Sequence, residues 1–324
     1  MNKISARYII ILAAILTGLL FYVPSAQNQS KKELLRSHGV PKLWAAPDNL
    51  SSRDLYLGPG GEEMKPDLRK ITYLEKSKGG TQTKYRVRDA SGREWVAKLG
   101  KEAQAETAAV RLMWAAGYAT EINYLIPRLN IVGKGVFRNV RLEARPDTVK
   151  RLDEWSWTRN PFVGTREFQG LKVMMALINN WDLKDINNKI LAERDPRAGR
   201  ANLDYVISDL GATFGKSGGF SPLWRITRSR NKPDDFAKSK FIKEVKRNRV
   251  YFGFHKKNSR IFENISVTDA RWLGNLMSGL SRKQITDAFR AANYDERQIA
   301  LLTDTVRRRI IELEHLQEEV SGLR

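Results

Sequence analysis

The run Asp182-Leu183-Lys184-Asp185-Ile186-Asn187 holds three side chains suited to moving a phosphoryl group onto a hydroxyl. A carboxylate at 182 can accept a hydroxyl proton, and a lysine two residues on can offset charge on the transferring group. An amide oxygen five residues on can bind magnesium. The same residue types also make an ordinary polar loop at a helix end. A second carboxylate follows in Tyr205-Val206-Ile207-Ser208-Asp209-Leu210-Gly211. There an apolar strand delivers Asp209 to one point and Gly211 permits a sharp exit, although a plain strand-to-turn junction reads the same way.

Two upstream features could hold the phosphates. Val96-Ala97-Lys98 places a lysine at the end of an apolar strand, where it can pair with the α- and β-phosphates of a nucleotide. It needs an acid to fix it; Glu106 on the next helix is the natural partner and Glu102 the second. Alone, Lys98 also reads as an edge-strand lysine in water. Gly79-Gly80 lies between two strands, where backbone N–H groups can approach phosphate oxygens because no Cβ intervenes; a simple hairpin turn is the alternative.

The ordered set of glycine turn, strand lysine, helix acid, D-L-K-x-x-N and D-L-G resembles the protein-kinase-like superfamily. V-A-K stands for its strand-lysine motif, D-L-K-x-x-N for its catalytic loop and D-L-G for D-F-G. The resemblance spans about residues 71–215. It implies that Lys98 holds the phosphates and pairs with Glu106, that Asp182 is the base, and that Asn187 and Asp209 bind magnesium. The departures point to divergent branches of that superfamily. Asn180-Trp181 stands where conventional protein kinases have His-Arg, and Lys98 and Glu106 are only eight residues apart. A charged loop at 193–200 separates the two carboxylate motifs, and no A-P-E follows Asp209. Phosphoinositide kinases, toxin-type bacterial kinases and secretory-pathway kinases are the branches it resembles more.

The elements that must position these residues are legible. Residues 71–75, 84–88 and 93–98 alternate as strands separated by glycine turns. Residues 103–116 hold strong helix formers with Gly117 as the stop, and 129–143 reads as two strands about a turn. Beyond them, 165–178 is an amphipathic helix. Ser281 to Gln284 and Asp295 to Gln298 each look like a capping box opening a helix. The expected fold is α+β and two-lobed: an antiparallel β N-lobe with one helix over 68–150, and a mainly helical C-lobe over 151–324. Residues 27–67, rich in Pro, Gly and Ser, read as an extended arm or linker.

Composition narrows the chemistry. The 324 residues include no cysteine and three histidines, which excludes disulfide frameworks, thiolate nucleophiles and zinc–thiolate sites. Metal chemistry must then run on oxygen ligands, which suit magnesium. Lys plus Arg number 57 against 36 Asp plus Glu, a net charge of +21, so the field attracts anions. Much of that charge lies in 216–260, interleaved with aromatics. This segment reads as a contact for an anionic substrate or membrane surface, or as a solvated basic face.

At the N-terminus a basic segment, an apolar run at 8–23 and small residues have the layout of a signal peptide over 1–26; an uncleaved anchor at 8–23 is the alternative. Either way the chain is expected to be exported, to the periplasm, the medium or a secretory lumen, and nucleic acid is then disfavoured as a partner. The sequence therefore points to an ATP- and magnesium-dependent phosphotransferase acting on a hydroxyl outside the cytoplasm. Its rival is a non-catalytic kinase-like module that binds an anionic polymer or membrane.

Overall fold

A computed structural model describes residues 38–77, 82–194, 201–218, 227–253 and 260–318. Contacts divide the chain into two units, 1–38 and 39–324, and every strand and helix named below belongs to the second. The N-terminal segment 1–26, the Gly79-Gly80 turn, and residues 195–200, 219–226 and 254–259 lie outside the described residues. Among the described residues no helix is long and apolar enough to cross a membrane.

The first layer is a five-stranded antiparallel sheet. Its strands are β2 (Thr72–Lys76), β3 (Lys84–Arg88), β4 (Glu94–Lys98), β5 (Asn123–Ile131) and β6 (Gly135–Ala144), in the spatial order β2-β3-β4-β6-β5. Side chains on a strand alternate between faces, and here the alternation separates two kinds of interior. On one face Val87, Trp95, Ala97, Tyr124, Val140 and Leu142 form an apolar core. The intervening residues Val96, Lys98, Arg141 and Glu143 occupy the other face and are buried as well. Helix α1 (Glu102–Ala115) meets this second face through Glu106, which contacts both Lys98 and Arg141.

The second layer begins with β7 (Val149–Asp153) and helix α2 (Arg166–Leu177). It continues through β8 (Asn188–Arg194), β9 (Ala201–Ile207), the short α3 (Pro233–Lys238) and the hairpin β10 (Ile242–Lys246) to β11 (Arg249–Phe252). It ends in α4 (Val267–Ser278), α5 (Arg282–Ala291) and α6 (Glu296–Glu314). Helix starts follow the sequence. Thr165 accepts a hydrogen bond from the Phe168 N–H, and Ser281 and Asp295 each form a complete capping box, satisfying donors that a helix start leaves orphaned.

The buried Arg309 of α6 locks this layer. Its guanidinium donates to the carbonyls of Leu177 at 2.8 Å and Phe236 at 3.1 Å and lies 4.0 Å above the Phe236 ring. Leu177 is the last residue of α2, so Arg309 satisfies a carbonyl with no partner further along that helix. Burial pulls the guanidinium down to about 9, so it stays charged at neutral pH.

The segment at 39–67 is tied to both layers. Strand β1 (Val40–Lys42) pairs in parallel with β9, giving a four-stranded sheet of order β1-β9-β8-β7. Leu43 and Leu55 are buried. The Gln284 amide of α5 donates to the Leu50 and Arg53 carbonyls, and the Tyr124 hydroxyl to that of Gly61.

Candidate active site

Strand β4 ends at Lys98, whose ammonium is buried among three carboxylates. Glu106 lies at 2.8 Å, Glu102 at 3.2 Å and Asp209 at 3.4 Å. Both helix acids expected from the sequence therefore reach the lysine. The eight-residue separation from Glu106 works because Gly100 turns the chain with a positive φ of 113°. Only glycine populates such a backbone at no steric cost, and α1 then begins at once.

Glu106 also receives Arg141 at 2.9 Å, and Arg141 in turn contacts Glu143. Arg145 and Arg151 bind Glu143, and Arg151 binds Glu121 and the Ser208 hydroxyl. Burial on its own would raise the Glu143 carboxyl, but Arg145 and Arg141 outweigh it and hold the group down at about 2. These residues thus form an alternating chain of acids and bases in which each of the buried charges is paired, the condition under which such charge is tolerated. Sequence patterns single out none of Arg141, Glu143, Arg151 and Glu121. Their one local signal is the R-L-E alternation on β6, which also fits a solvent-facing strand.

The two carboxylate motifs meet through the main chain. Two residues past the end of α2, Asn179 adopts a left-handed φ of 55° and donates its side-chain amide to the Gly215 carbonyl. The Trp181 N–H then donates to the Ala212 carbonyl, and the Ser208 N–H to the Asn187 carbonyl. Asp182 to Ile186 and Asp209 to Gly211 lie between these two bonds, on segments facing each other. The Asn180 side-chain oxygen accepts the Asp182 N–H at 3.2 Å and shapes the loop. The Trp181 indole donates to the Ser229 carbonyl at 2.8 Å, and Arg230 binds Glu102. The segment following Asp209 is so fastened to both the loop around Asp182 and α1.

Asp182 is partly exposed, and the Lys184 ammonium lies 2.7 and 3.1 Å from its two oxygens. The Asn187 amide nitrogen donates to the Asp182 carbonyl at 2.7 Å, so its oxygen is left as the free acceptor. Asp209 has 39% of its side chain exposed against 4% for Lys98, so its carboxylate reaches solvent while the lysine does not. Among the described residues no three His, Asp or Glu side chains group to hold a metal by themselves. One carboxylate and one amide oxygen fit magnesium, which takes one or two protein oxygens and completes its shell with water and phosphates.

No protein-family model matches the chain, and no curated protein matches it. Among solved structures it is similar to a Helicobacter pylori proinflammatory kinase, CtkA. That overlap has 13% identity and a TM-score of 0.44, and covers 76% of this chain and 98% of that one. It is also similar to a Rio2 kinase from Chaetomium thermophilum solved with ADP and magnesium, at 12% identity and a TM-score of 0.34, over 76% and 72% of the two chains. A Golgi casein kinase with manganese and ADP gives 12% and 0.33, over 79% and 76%. Overlaps this low carry nothing about substrate, and the fold is read from the chain's own parts. A five-stranded antiparallel sheet has its strand lysine held by the glutamate of the next helix. A mainly helical layer then brings the D-L-K-x-x-N and D-L-G segments to that lysine. This is a protein-kinase-like fold in a divergent form.

Proposed function

We propose that the chain is an ATP- and magnesium-dependent phosphotransferase acting on an acceptor hydroxyl. The observation that carries this reading is the contact of Lys98 with both Glu106 and Asp209, which brings one lysine and two carboxylates together from β4, α1 and the turn after β9. Lys98 would hold the nucleotide phosphates. Asn187 and Asp209 would hold magnesium, which offsets charge on those phosphates. Asp182 would orient the acceptor hydroxyl and take its proton as the oxygen bonds to the γ-phosphorus. The bond from that phosphorus to the bridging oxygen breaks, and ADP leaves with its electron pair. Lys184, held against Asp182, would stabilise charge on the group in transit.

The layout of residues 1–26 supports action outside the cytoplasm. The basic segment 216–260, which follows Asp209 in the sequence, supports an acceptor carried on an anionic molecule or surface.

A thermal-shift titration tests the nucleotide part. Mg-ATP at ~100 times its dissociation constant stabilises a folded chain by about 2.7 kcal/mol, and chelating the magnesium should remove most of that gain. The absence of a shift with any nucleotide would favour a non-catalytic module that binds anionic surfaces.

A further inference from the structure

Across the Lys98-bearing face of the first sheet, three cations stand in one row. Lys84 of β3 is in register with Lys98 of β4, and Lys98 with Arg141 of β6. Directly opposed side chains on neighbouring strands have Cβ atoms about 4.5–5.5 Å apart, and like charges there repel. Two of the three are neutralised. The Lys98 ammonium has three N–H groups and three carboxylates around it, and Arg141 has Glu106 and Glu143. Lys84 makes neither a side-chain hydrogen bond nor an ion pair with any described residue. It is half-buried nonetheless. Burial first, and the neighbouring Lys98 charge second, pull its ammonium below the usual lysine range, and Asp209 is the leading group that resists.

An uncompensated, partly desolvated cation beside a second cation is unfavourable unless an anion completes it. Lys98 must release a carboxylate before it can donate to a phosphate; Lys84 has no partner among the described residues to release. We propose that Lys84 is a second phosphate-binding lysine of the cleft, whose ammonium donates to the terminal phosphates of the nucleotide alongside Lys98. The proposal rests on the nucleotide reading above and sharpens it, since it divides the phosphate contacts between a committed lysine and a free one.

The test compares binding of adenosine, ADP and ATP, each with magnesium, to the purified chain and to Lys84→Met and Lys84→Arg. The loss of one charge-assisted hydrogen bond should weaken ATP binding by about tenfold or more in Lys84→Met. Adenosine binding should be unchanged, and Lys84→Arg should recover most of the ATP affinity. The ligand-free melting temperature of Lys84→Met should equal or exceed that of the parent, because a like-charge contact is relieved.

A Lys84→Met chain that keeps the parent's preference for ATP over adenosine would overturn the assignment. So would a fall of several degrees in its ligand-free melting temperature, which would mark the lysine as structural. If the parent chain binds none of the three ligands, the nucleotide reading fails first and takes this assignment with it. That outcome is distinct from a parent that prefers ATP and a variant that does so equally.

Discussion

Lys98 and Asp209 are 111 residues apart in the chain, and the lysine nitrogen lies 3.4 Å from the aspartate oxygen. The contact joins the end of β4 to the turn after β9, and so joins the two layers. If Asp209 serves the metal, Lys98 still keeps Glu106 when that carboxylate is lost. Asp209→Asn should therefore leave the fold intact and abolish the magnesium dependence of nucleotide binding. Calorimetric titrations with and without magnesium would check this, and an unchanged dependence would remove Asp209 from the metal site.

The two acids of α1 should not be equivalent. Glu106 is 1% exposed and faces both Lys98 and Arg141, whereas Glu102 shares Lys98 with the partly exposed Arg230. Removing one partner of a buried charge group costs about 3–5 kcal/mol. Glu106→Gln should approach that loss in urea unfolding, and Glu102→Gln should lose clearly less. Equal losses would mean that Arg141 does not depend on Glu106.

Lys98, the 182–187 loop and Asp209 could be singled out because each motif is local and their order along the chain is specific even where each alone has an ordinary reading. Helix starts were equally plain at Thr165, Ser281 and Asp295, where a short-range capping pattern fixes the first turn. The charge network was not readable. Arg141 and Glu143 alternate with Val140 and Leu142 on β6, and a strand with one charged face ordinarily turns that face to water. Here both faces are covered, and the charges survive burial because their partners come from α1 and β7. Lys84 was hidden for the same reason, in the alternation of K-Y-R-V-R. Residues 27–67 looked like an arm or linker by their Pro, Gly and Ser content, and 39–67 are the part of them packed on the layers. Their attachment to β9 and to Gln284 depends on long-range pairing that composition does not carry.

Arg309 offers a test of the second layer alone. It places a planar guanidinium on carbonyls from α2 and α3, a geometry that lysine cannot copy. Arg309→Met should destabilise the chain by about 2–4 kcal/mol by leaving those carbonyls unpaired, and Arg309→Lys should recover little of it. Chemical denaturation would measure both. A variant within experimental error of the parent would show that water or a shifted side chain replaces the contacts.

Glu143 makes the folded state sensitive to acid. Its carboxyl is held at about 2, below the usual carboxylate range of about 4.3. Its contribution is therefore full above the unfolded pKa and is lost as the pH falls toward the folded one. Stability of the parent should decline from about pH 4.5 down to pH 2, and Glu143→Gln, less stable at neutral pH, should decline less steeply over that window. Parallel pH–stability curves for the two chains would remove Glu143 as a cause. The depressed carboxyls of Asp67, Asp89, Glu94 and Asp234 would supply the slope that remains.

The most direct test of the central claim is transfer itself, followed with γ-labelled ATP. The purified chain should move label to itself, to water or to an added hydroxyl acceptor in the presence of magnesium. Asp182→Ala should bind the nucleotide with unchanged affinity and lose about 100-fold or more of the transfer rate, the share that a positioned base supplies. Undiminished transfer by Asp182→Ala, or none by a parent chain that binds Mg-ATP, would contradict the account.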